Sequence, residues 1–290
     1  MLKRLPILCA ALFALAACSH DSDTGSTPAA PAASSTAAPA PATPAASGSA
    51  APAPAASTPA SAGTAAAATA PASAPTPPAE PFVDTGKWVE GKNYFRIEPA
   101  QPKATSTDKI EVTEVFSYGC PACNQFHPVV GQLAASLPSN ATMAYLPASF
   151  IPQENWPMLQ RAYFTAKALG VADKCNDAMY DAVWKSGELS AMNQAGNGLK
   201  PHDALPTIAD AAKVYAKCGA DPKEFAAVAN SFSINTQMKR ADDLIKAYGV
   251  TGTPTLIVNG KYRFDVRDAG GYPQTIELAK WLVAKEAAGK

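Results

Sequence analysis

The sequence predicts an α/β domain into which a mostly α-helical block is inserted. Two stretches predict the α/β part. A β-branched and aromatic run that ends at Phe116 leads directly into a helical pattern, and two short strands joined at Asn259-Gly260 follow Pro254. Between about 151 and 241 the apolar residues instead recur at spacings of three and four, as in amphipathic helices. We expect this domain over residues 81–290.

The chain begins with features of an export signal. Lys3 and Arg4 precede an apolar run that is too short to span a bilayer, which is the layout of a secretory signal peptide. We expect this peptide over residues 1–17, because Leu15-Ala16-Ala17-Cys18 resembles a bacterial lipobox. Cleavage there makes Cys18 the acylated N-terminus of a lipoprotein, whereas ordinary cleavage without lipidation is the alternative.

A segment of Ala, Pro, Ser and Thr follows. Residues 19–80 contain no Val, Ile, Leu, Met or aromatic residue, so they cannot bury enough apolar surface to offset the loss of chain entropy. We predict that residues 18–80 are the lipidated cysteine and a disordered linker, with an end-to-end distance of about 45 Å. Lys plus Arg and Asp plus Glu are 24 each, so the net charge gives no reason to expect nucleic-acid binding.

The motif Cys120-Pro121-Ala122-Cys123 lies where the first strand runs into its helix. Unpaired N–H groups and the helix dipole at this position favour a thiolate over a thiol. Pro121 suits the first helical position, where a missing N–H costs no hydrogen bond. We therefore expect Cys120 to be an acidic, exposed nucleophile and Cys123 to begin the buried stripe of the helix.

Two other interpretations of this motif fit the sequence less well. Half of a zinc site requires further ligands, but the chain has three histidines and no second C-x-x-C pair. An inert structural disulfide is less consistent with a helix start, where a thiolate is activated. Redox chemistry is favoured, with no metal and no organic cofactor.

The inserted block and the C-terminal part show recognisable helix signals. The Leu159–Leu169 stripe ends at Gly170, and Asp221-Pro222 combines an N-cap residue with a first-turn proline. Further helices are predicted around 178–183, over 207–218, up to about 248 and from about 274 to 285.

Taken together, the motif and a second stretch resemble the thioredoxin superfamily. Gly249-Val250-Thr251-Gly252-Thr253-Pro254-Thr255 is similar to the cis-proline loop of that superfamily, and the long helical insertion resembles its DsbA-type thiol:disulfide oxidoreductases. The resemblance implies a thioredoxin-like fold, a cis Pro254, and a substrate backbone that pairs beside Thr253 and Pro254. Thr253 and Ala122 stand where the strongly oxidising members commonly have Val and His.

Glu114 is predicted as an accessory residue. It shares strand parity with Ile110, Val112 and Phe116, so a carboxylate lies among apolar neighbours and its pKa should rise. The resemblance aligns Glu114 with the buried acid of the DsbA family, which would exchange a proton with Cys123, and Tyr145 with the usual lysine partner of that acid. A solvated or hydrogen-bonded strand residue is the alternative.

Two cysteines remain after these assignments. In an oxidising compartment Cys175 and Cys218, which share the helical block, are expected to form a structural disulfide. The alternative is a pair of buried, reduced cysteines that pack as small hydrophobic residues.

The predicted function is donation of disulfide bonds to unfolded or reduced exported proteins. By resemblance, a DsbB-type quinone-linked membrane protein would reoxidise Cys120 and Cys123. We expect a monomer in the periplasm, lipid-anchored to the inner or the outer membrane. A disulfide reductase or isomerase is the alternative among enzymes, and a tethered envelope chaperone is the alternative of another class.

Overall fold

The computed structural model describes residues 82–290. The expected signal peptide over 1–17, the lipidated Cys18 and the linker over 18–80 lie outside these residues. Among the helices of residues 82–290, none combines the length and the apolar character needed to cross a bilayer.

A five-stranded mixed sheet forms the centre of the described part. Its strands run in the spatial order β1-β5-β4-β2-β3. β2 pairs with β3 in parallel and with β4 in antiparallel orientation, and β5 is antiparallel to both β4 and β1. The strands are β1 (Phe95–Arg96), β2 (Ile110–Phe116), β3 (Ala141–Pro147), β4 (Thr255–Val258) and β5 (Tyr262–Asp265).

Eight α-helices accompany this sheet within residues 82–290. They are α1 (Pro121–Ser136), α2 (Trp156–Ala168), α3 (Asn176–Trp184), α4 (Ile208–Ala216), α5 (Pro222–Ala229), α6 (Phe232–Ala247), α7 (Val266–Ala269) and α8 (Tyr272–Ala287). α1 and α8 pack together in one apolar cluster that includes Phe126, Leu133 and Leu278. α2 to α6 contribute to a second cluster, which continues to the two cysteines of the motif. The predicted α/β domain with a helical insertion is confirmed.

β2 positions the motif. Val112 to Phe116 are buried, since strands flank β2 on both sides and helices cover the sheet. Because β2 is held on both sides, the residues that follow its C-terminal end have a fixed position. Cys120 lies four residues after Phe116 and immediately precedes α1.

Several elements differ from the sequence-based expectation. The helix predicted to end near 248 is α6, Phe232–Ala247, and it crosses the approximate end of the expected helical block at 241. β1, β3 and α7 were not predicted. β3 contains two alanines and a methionine, which have little strand preference, and its pairing with β2 stabilises it.

Candidate active site

Cys120 is the N-cap residue of α1. Its backbone is extended, with φ −86° and ψ 121°, and its Sγ accepts a hydrogen bond from the backbone N–H of Cys123 at 3.3 Å. Pro121 occupies the start of the helix, where no intrahelical partner for its nitrogen is lost. The sulfur thus takes the capping position that a serine or aspartate oxygen occupies in other helices.

The expectation of an exposed Cys120 is wrong. Only 5% of this residue is accessible to solvent, and its Sγ lies 3.4 Å from the backbone oxygen of Thr253 in the loop before β4. The peptide bond between Thr253 and Pro254 is cis. The loop therefore packs directly against the reactive sulfur.

The surroundings of the two cysteines shift their pKa values in opposite directions. A hydrogen bond from Cys123 lowers the pKa of Cys120 to about 6, with further help from the Thr253 side chain and from the backbone N–H groups of Cys123 and Ala122, while burial opposes the change. Burial raises the pKa of Cys123 well above its usual value, and the hydrogen bond to Cys120 and the charge of Glu114 add to this. At neutral pH Cys120 is the thiolate and Cys123 the thiol.

Glu114 lies in β2, in register with Tyr145 of β3 and Leu256 of β4. Its side chain is buried, and its Oε1 has no hydrogen-bond partner among residues 82–290. Burial raises the pKa of this carboxyl well above its usual range, and the charge of Cys120 raises it further. Burial also raises the pKa of Tyr145, and Glu114 contributes to that shift. An acid in these surroundings is suited to hold a proton at neutral pH.

Cys175 and Cys218 are bonded to each other, with an S–S distance of 2.07 Å and their Cα atoms 5.7 Å apart. Cys175 immediately precedes α3. The disulfide therefore joins the start of α3 to the turn after α4.

The first turns of α3 contact the active-site segment directly. Tyr118 Oη donates a hydrogen bond to Asn176 Oδ1 at 2.8 Å, and His127 Nε2 of α1 lies 2.6 Å from Asp177 Oδ1. The His127 ring also stacks on Tyr180, with ring centroids 4.5 Å apart. None of the α3 partners was singled out from the sequence, because contacts between elements leave no local pattern.

Trp156 packs against the backbone at Gly119, the residue before Cys120. A Cβ atom added to Gly119 would lie 2.7 Å from Trp156 Nε1 and 3.3 Å from Leu159 Cδ1. Gly119 thus allows the indole to pack against the backbone just before the nucleophile. From the other side, Trp184 Nε1 donates a hydrogen bond to the Tyr118 carbonyl oxygen at 2.8 Å.

No group of three or more His, Cys, Asp or Glu side chains within residues 82–290 is arranged to hold a metal ion. The chemistry that the arrangement supports is thiol–disulfide exchange. It offers a stabilised thiolate at Cys120, a protonated partner thiol at Cys123 and a buried acid near both.

Comparisons with known proteins agree with this chemistry. A family model of the DSBA-like thioredoxin domain matches residues 111–274, a range that contains both motif cysteines and Pro254. The thiol:disulfide interchange protein DsbA of Pseudomonas aeruginosa is 35% identical over 201 residues, which are 69% of this chain and 87% of that protein. The protein of the same name from Azotobacter vinelandii is 33% identical over 200 residues, 69% of this chain and 85% of its own.

A solved structure supports the same relationship. The crystal structure of Pseudomonas aeruginosa DsbA superimposes with a TM-score of 0.59 at 34% sequence identity. The match covers 71% of this chain and 97% of that chain.

Proposed function

Because this chain belongs to the family of DsbA-like thioredoxin domains and is a protein disulfide oxidoreductase, we propose that it donates disulfide bonds to exported proteins through Cys120 and Cys123. The observation that carries the proposal is the pKa of Cys120, lowered to about 6 beside a Cys123 whose pKa is raised. A stable Cys120 thiolate favours the reduced enzyme, and an enzyme that is stable when reduced is a good oxidant.

The size of this preference follows from the pKa shift. Lowering a thiol pKa from 9.0 to about 6 stabilises the reduced, folded protein by at most about 1.4 kcal/mol at pH 7, equivalent to about 30 mV. The shift lowers the pKa, so the stabilisation grows above pH 6 and is lost as the pH falls through that value. Solvent screening reduces these figures.

The proposed reaction has two exchange steps. In the oxidised enzyme a substrate thiolate attacks Cys120 Sγ, the bond from Cys120 to Cys123 breaks, and Cys123 leaves and takes up a proton. A second substrate thiolate then attacks the substrate sulfur of the mixed disulfide, and Cys120 leaves as a thiolate. Two electrons pass from the substrate thiols to the enzyme, and the substrate departs with a disulfide.

Glu114 is proposed to exchange the proton with Cys123. Its carboxyl is buried without a hydrogen-bond partner at Oε1 among the described residues, and burial raises its pKa well above the usual range. A protonated Glu114 supplies a proton to the leaving sulfur in a place that water reaches poorly. Thr253 and Pro254 are proposed to contact the substrate backbone, since the Thr253 carbonyl already lies against Cys120.

The cellular setting is part of the proposal. The lipobox-like sequence ending at Cys18 and the linker that follows support an enzyme tethered to a membrane in the periplasm, where unfolded exported proteins are its substrates. We propose that it is a monomer, because residues 81–108 are too few for a separate dimerisation domain. The family relationship supports reoxidation by a DsbB-type membrane quinone reductase. The structural disulfide between Cys175 and Cys218 is consistent with an oxidising compartment.

The decisive experiment is the equilibrium of the Cys120–Cys123 pair against glutathione, combined with thiol trapping in living cells. We expect a pair that is more oxidising than glutathione and mostly oxidised in the envelope. A reducing pair held as dithiols would contradict donation and establish the reductase or isomerase. Binding of unfolded proteins that survives Cys120→Ser, without any loss of function in the cell, would instead indicate a chaperone, because such a function does not need the nucleophile.

A further inference from the structure

An open groove of about 540 Å³ adjoins the active site. Ala122 of the motif lies at one end, and the Thr253–Pro254 loop forms one wall. β5 and the start of α8 line the rest, with Arg263 and Tyr272 among their residues. A polypeptide whose cysteine reaches Cys120 would place its neighbouring residues along this groove.

Within residues 82–290, Arg263 is the cation of this groove that has no carboxylate partner. Its side chain forms no ion pair within 4.0 Å and no hydrogen bond with residues 82–290, and it is partly buried. Its guanidinium carbon lies 5.1 Å from the centre of the Phe95 ring, and its Nε lies 3.5 Å from the position that a Cβ atom on Gly249 would occupy. The guanidinium thus packs near an aromatic ring, and its N–H donors are not used by any acceptor among residues 82–290.

The other charges of the groove are engaged with one another. Asp265 caps α7 by accepting hydrogen bonds from the backbone N–H groups of Arg267 and Asp268, and it also pairs with the Arg267 guanidinium at 2.7 Å. Asp268 completes the capping box by accepting the Asp265 N–H at 3.0 Å. Arg267 is thus paired with Asp265 and both carboxylates are held in place, so among residues 82–290 Arg263 is the groove cation that no carboxylate engages.

We propose that Arg263 determines substrate specificity by binding an acidic side chain of the polypeptide segment next to the reactive cysteine. This rests on the proposed function only in that the site must react with a polypeptide thiol or disulfide. Guanidinium groups bind carboxylates through two parallel N–H donors, which matches an aspartate or glutamate better than a neutral side chain. A partly exposed pair of this kind changes a rate constant by about three- to fivefold.

The test compares three dithiol peptides that differ only in carrying Glu, Gln or Lys at the positions flanking the first cysteine. We expect the oxidised protein to react with the Glu peptide about three- to fivefold faster than with the Lys peptide at low salt. Arg263→Ala should abolish this ratio, and Arg263→Lys should keep part of it. Because the attraction is electrostatic, added salt should reduce the ratio of the unchanged protein.

Arg240 provides the matched control. It is an exposed arginine of α6 that does not line the groove, so Arg240→Ala removes the same charge elsewhere and should leave the Glu-to-Lys ratio unchanged. Equal rates for the three peptides, or a ratio that survives Arg263→Ala, would overturn the assignment. If Arg240→Ala also abolished the Glu-to-Lys rate ratio, the preference would come from the net charge of the protein. That result would overturn the assignment to Arg263 as well.

The same ratio is measured with the reduced protein and the disulfide forms of the peptides. A peptide occupies the groove whether the protein oxidises its thiols or reduces its disulfide. The preference for Glu peptides therefore tests the role of Arg263 in either reaction. The peptide redox equilibrium separately decides whether the protein is a disulfide donor. A reducing protein that still prefers Glu peptides would therefore contradict the proposed function and support the role of Arg263.

Discussion

At the scale of single residues, Cys120 and Cys123 show how position controls reactivity. They are three residues apart in one chain, yet Cys120 caps α1 and receives an N–H donor while Cys123 is enclosed by the core. The N-cap position lowers the pKa of Cys120, and burial in the core raises the pKa of Cys123. One thiolate is therefore available at neutral pH, and the other sulfur keeps its proton.

This difference predicts the pH dependence of alkylation. In the reduced protein, the rate of reaction of Cys120 with iodoacetamide should rise through a midpoint near pH 6, because only the thiolate reacts. Mass spectrometry should find the label on Cys120. A midpoint near the ordinary value of 9.0, or labelling mainly at Cys123, would contradict the assignment.

Glu114 predicts a second pH effect, on stability. The pKa of Glu114 is raised in the native state, so the native state binds this proton more tightly than the unfolded state does. The stabilisation that results is complete below the ordinary pKa of 4.5, where both states are protonated. Stability is lost as the pH rises above that value. In the oxidised protein, Glu114→Gln should therefore gain stability relative to the unchanged protein between pH 4 and pH 8.

Urea unfolding at several pH values measures this change. The oxidised form is used because Cys120 then carries no charge that titrates. The buried amide of the variant lowers the free energy of unfolding by about the same amount at every pH. The result is therefore how the difference in unfolding free energy between the two proteins changes with pH, and not its value at one pH. A difference that does not change with pH would show that Glu114 is ionised in the native state.

Two glycines at and near the motif should respond oppositely to alanine. Gly119→Ala places a methyl group 2.7 Å from Trp156 Nε1, so we expect a loss of about 1–3 kcal/mol of stability and slower thiol exchange. Gly131→Ala lies in α1 with no atom within 4 Å of the new methyl group, so it should add about 0.5–1 kcal/mol. Chemical unfolding and peptide oxidation rates measure both, and equal effects would contradict the packing argument.

At the scale of elements, α3 connects the structural disulfide to the active site. Cys175 precedes the helix, and the next two residues contact Tyr118 and His127. The ion pair of Asp177 with His127 contributes little by itself, because 92% of the Asp177 side chain is exposed. Anchoring by the disulfide and stacking of Tyr180 on His127 are the stronger restraints.

Replacing both cysteines tests this anchor. The disulfide closes a sequence separation of 43 residues, so Cys175→Ser combined with Cys218→Ser should lower the free energy of unfolding by about 2–4 kcal/mol. Changing both residues avoids a free thiol that could exchange with Cys120. Calorimetry measures the loss, and the single variant Asn176→Ala, which removes only the contact to Tyr118, should cost less. An unchanged unfolding temperature would contradict the anchoring role.

At the scale of the whole molecule, the sequence predicts an N-terminal tether that precedes the catalytic domain. The lipobox-like end of the signal predicts acylation at Cys18. Cells that express the full chain should contain it in the membrane fraction, whereas Cys18→Ala should release it to the soluble envelope fraction with its peptide oxidation rate unchanged. Incorporation of labelled palmitate provides a direct check, and a soluble unchanged protein without label would exclude lipidation.

The sequence by itself determined the parts of the fold that have local causes. Period-2 and period-3.6 patterns identified β2, α1, α2 and α8, and the Asp221-Pro222 pair marked the start of α5. The motif identified Cys120 and Cys123 because the thiolate is stabilised by groups of its own helix, which are close in the chain. Hydrogen bonds within this local segment lower the pKa of Cys120, whereas the raised pKa of Cys123 comes mainly from burial in the core.

Only the tertiary structure decided what depends on distant residues. β3 exists because β2 pairs with it, and Cys120 is buried because the Thr253 loop packs on it from 133 positions further along the chain. The contacts of α3 with Tyr118 and His127, and the groove in which Arg263 meets the Thr253 loop, likewise join separate elements. Such contacts depend on packing between elements, which no periodicity within one segment encodes.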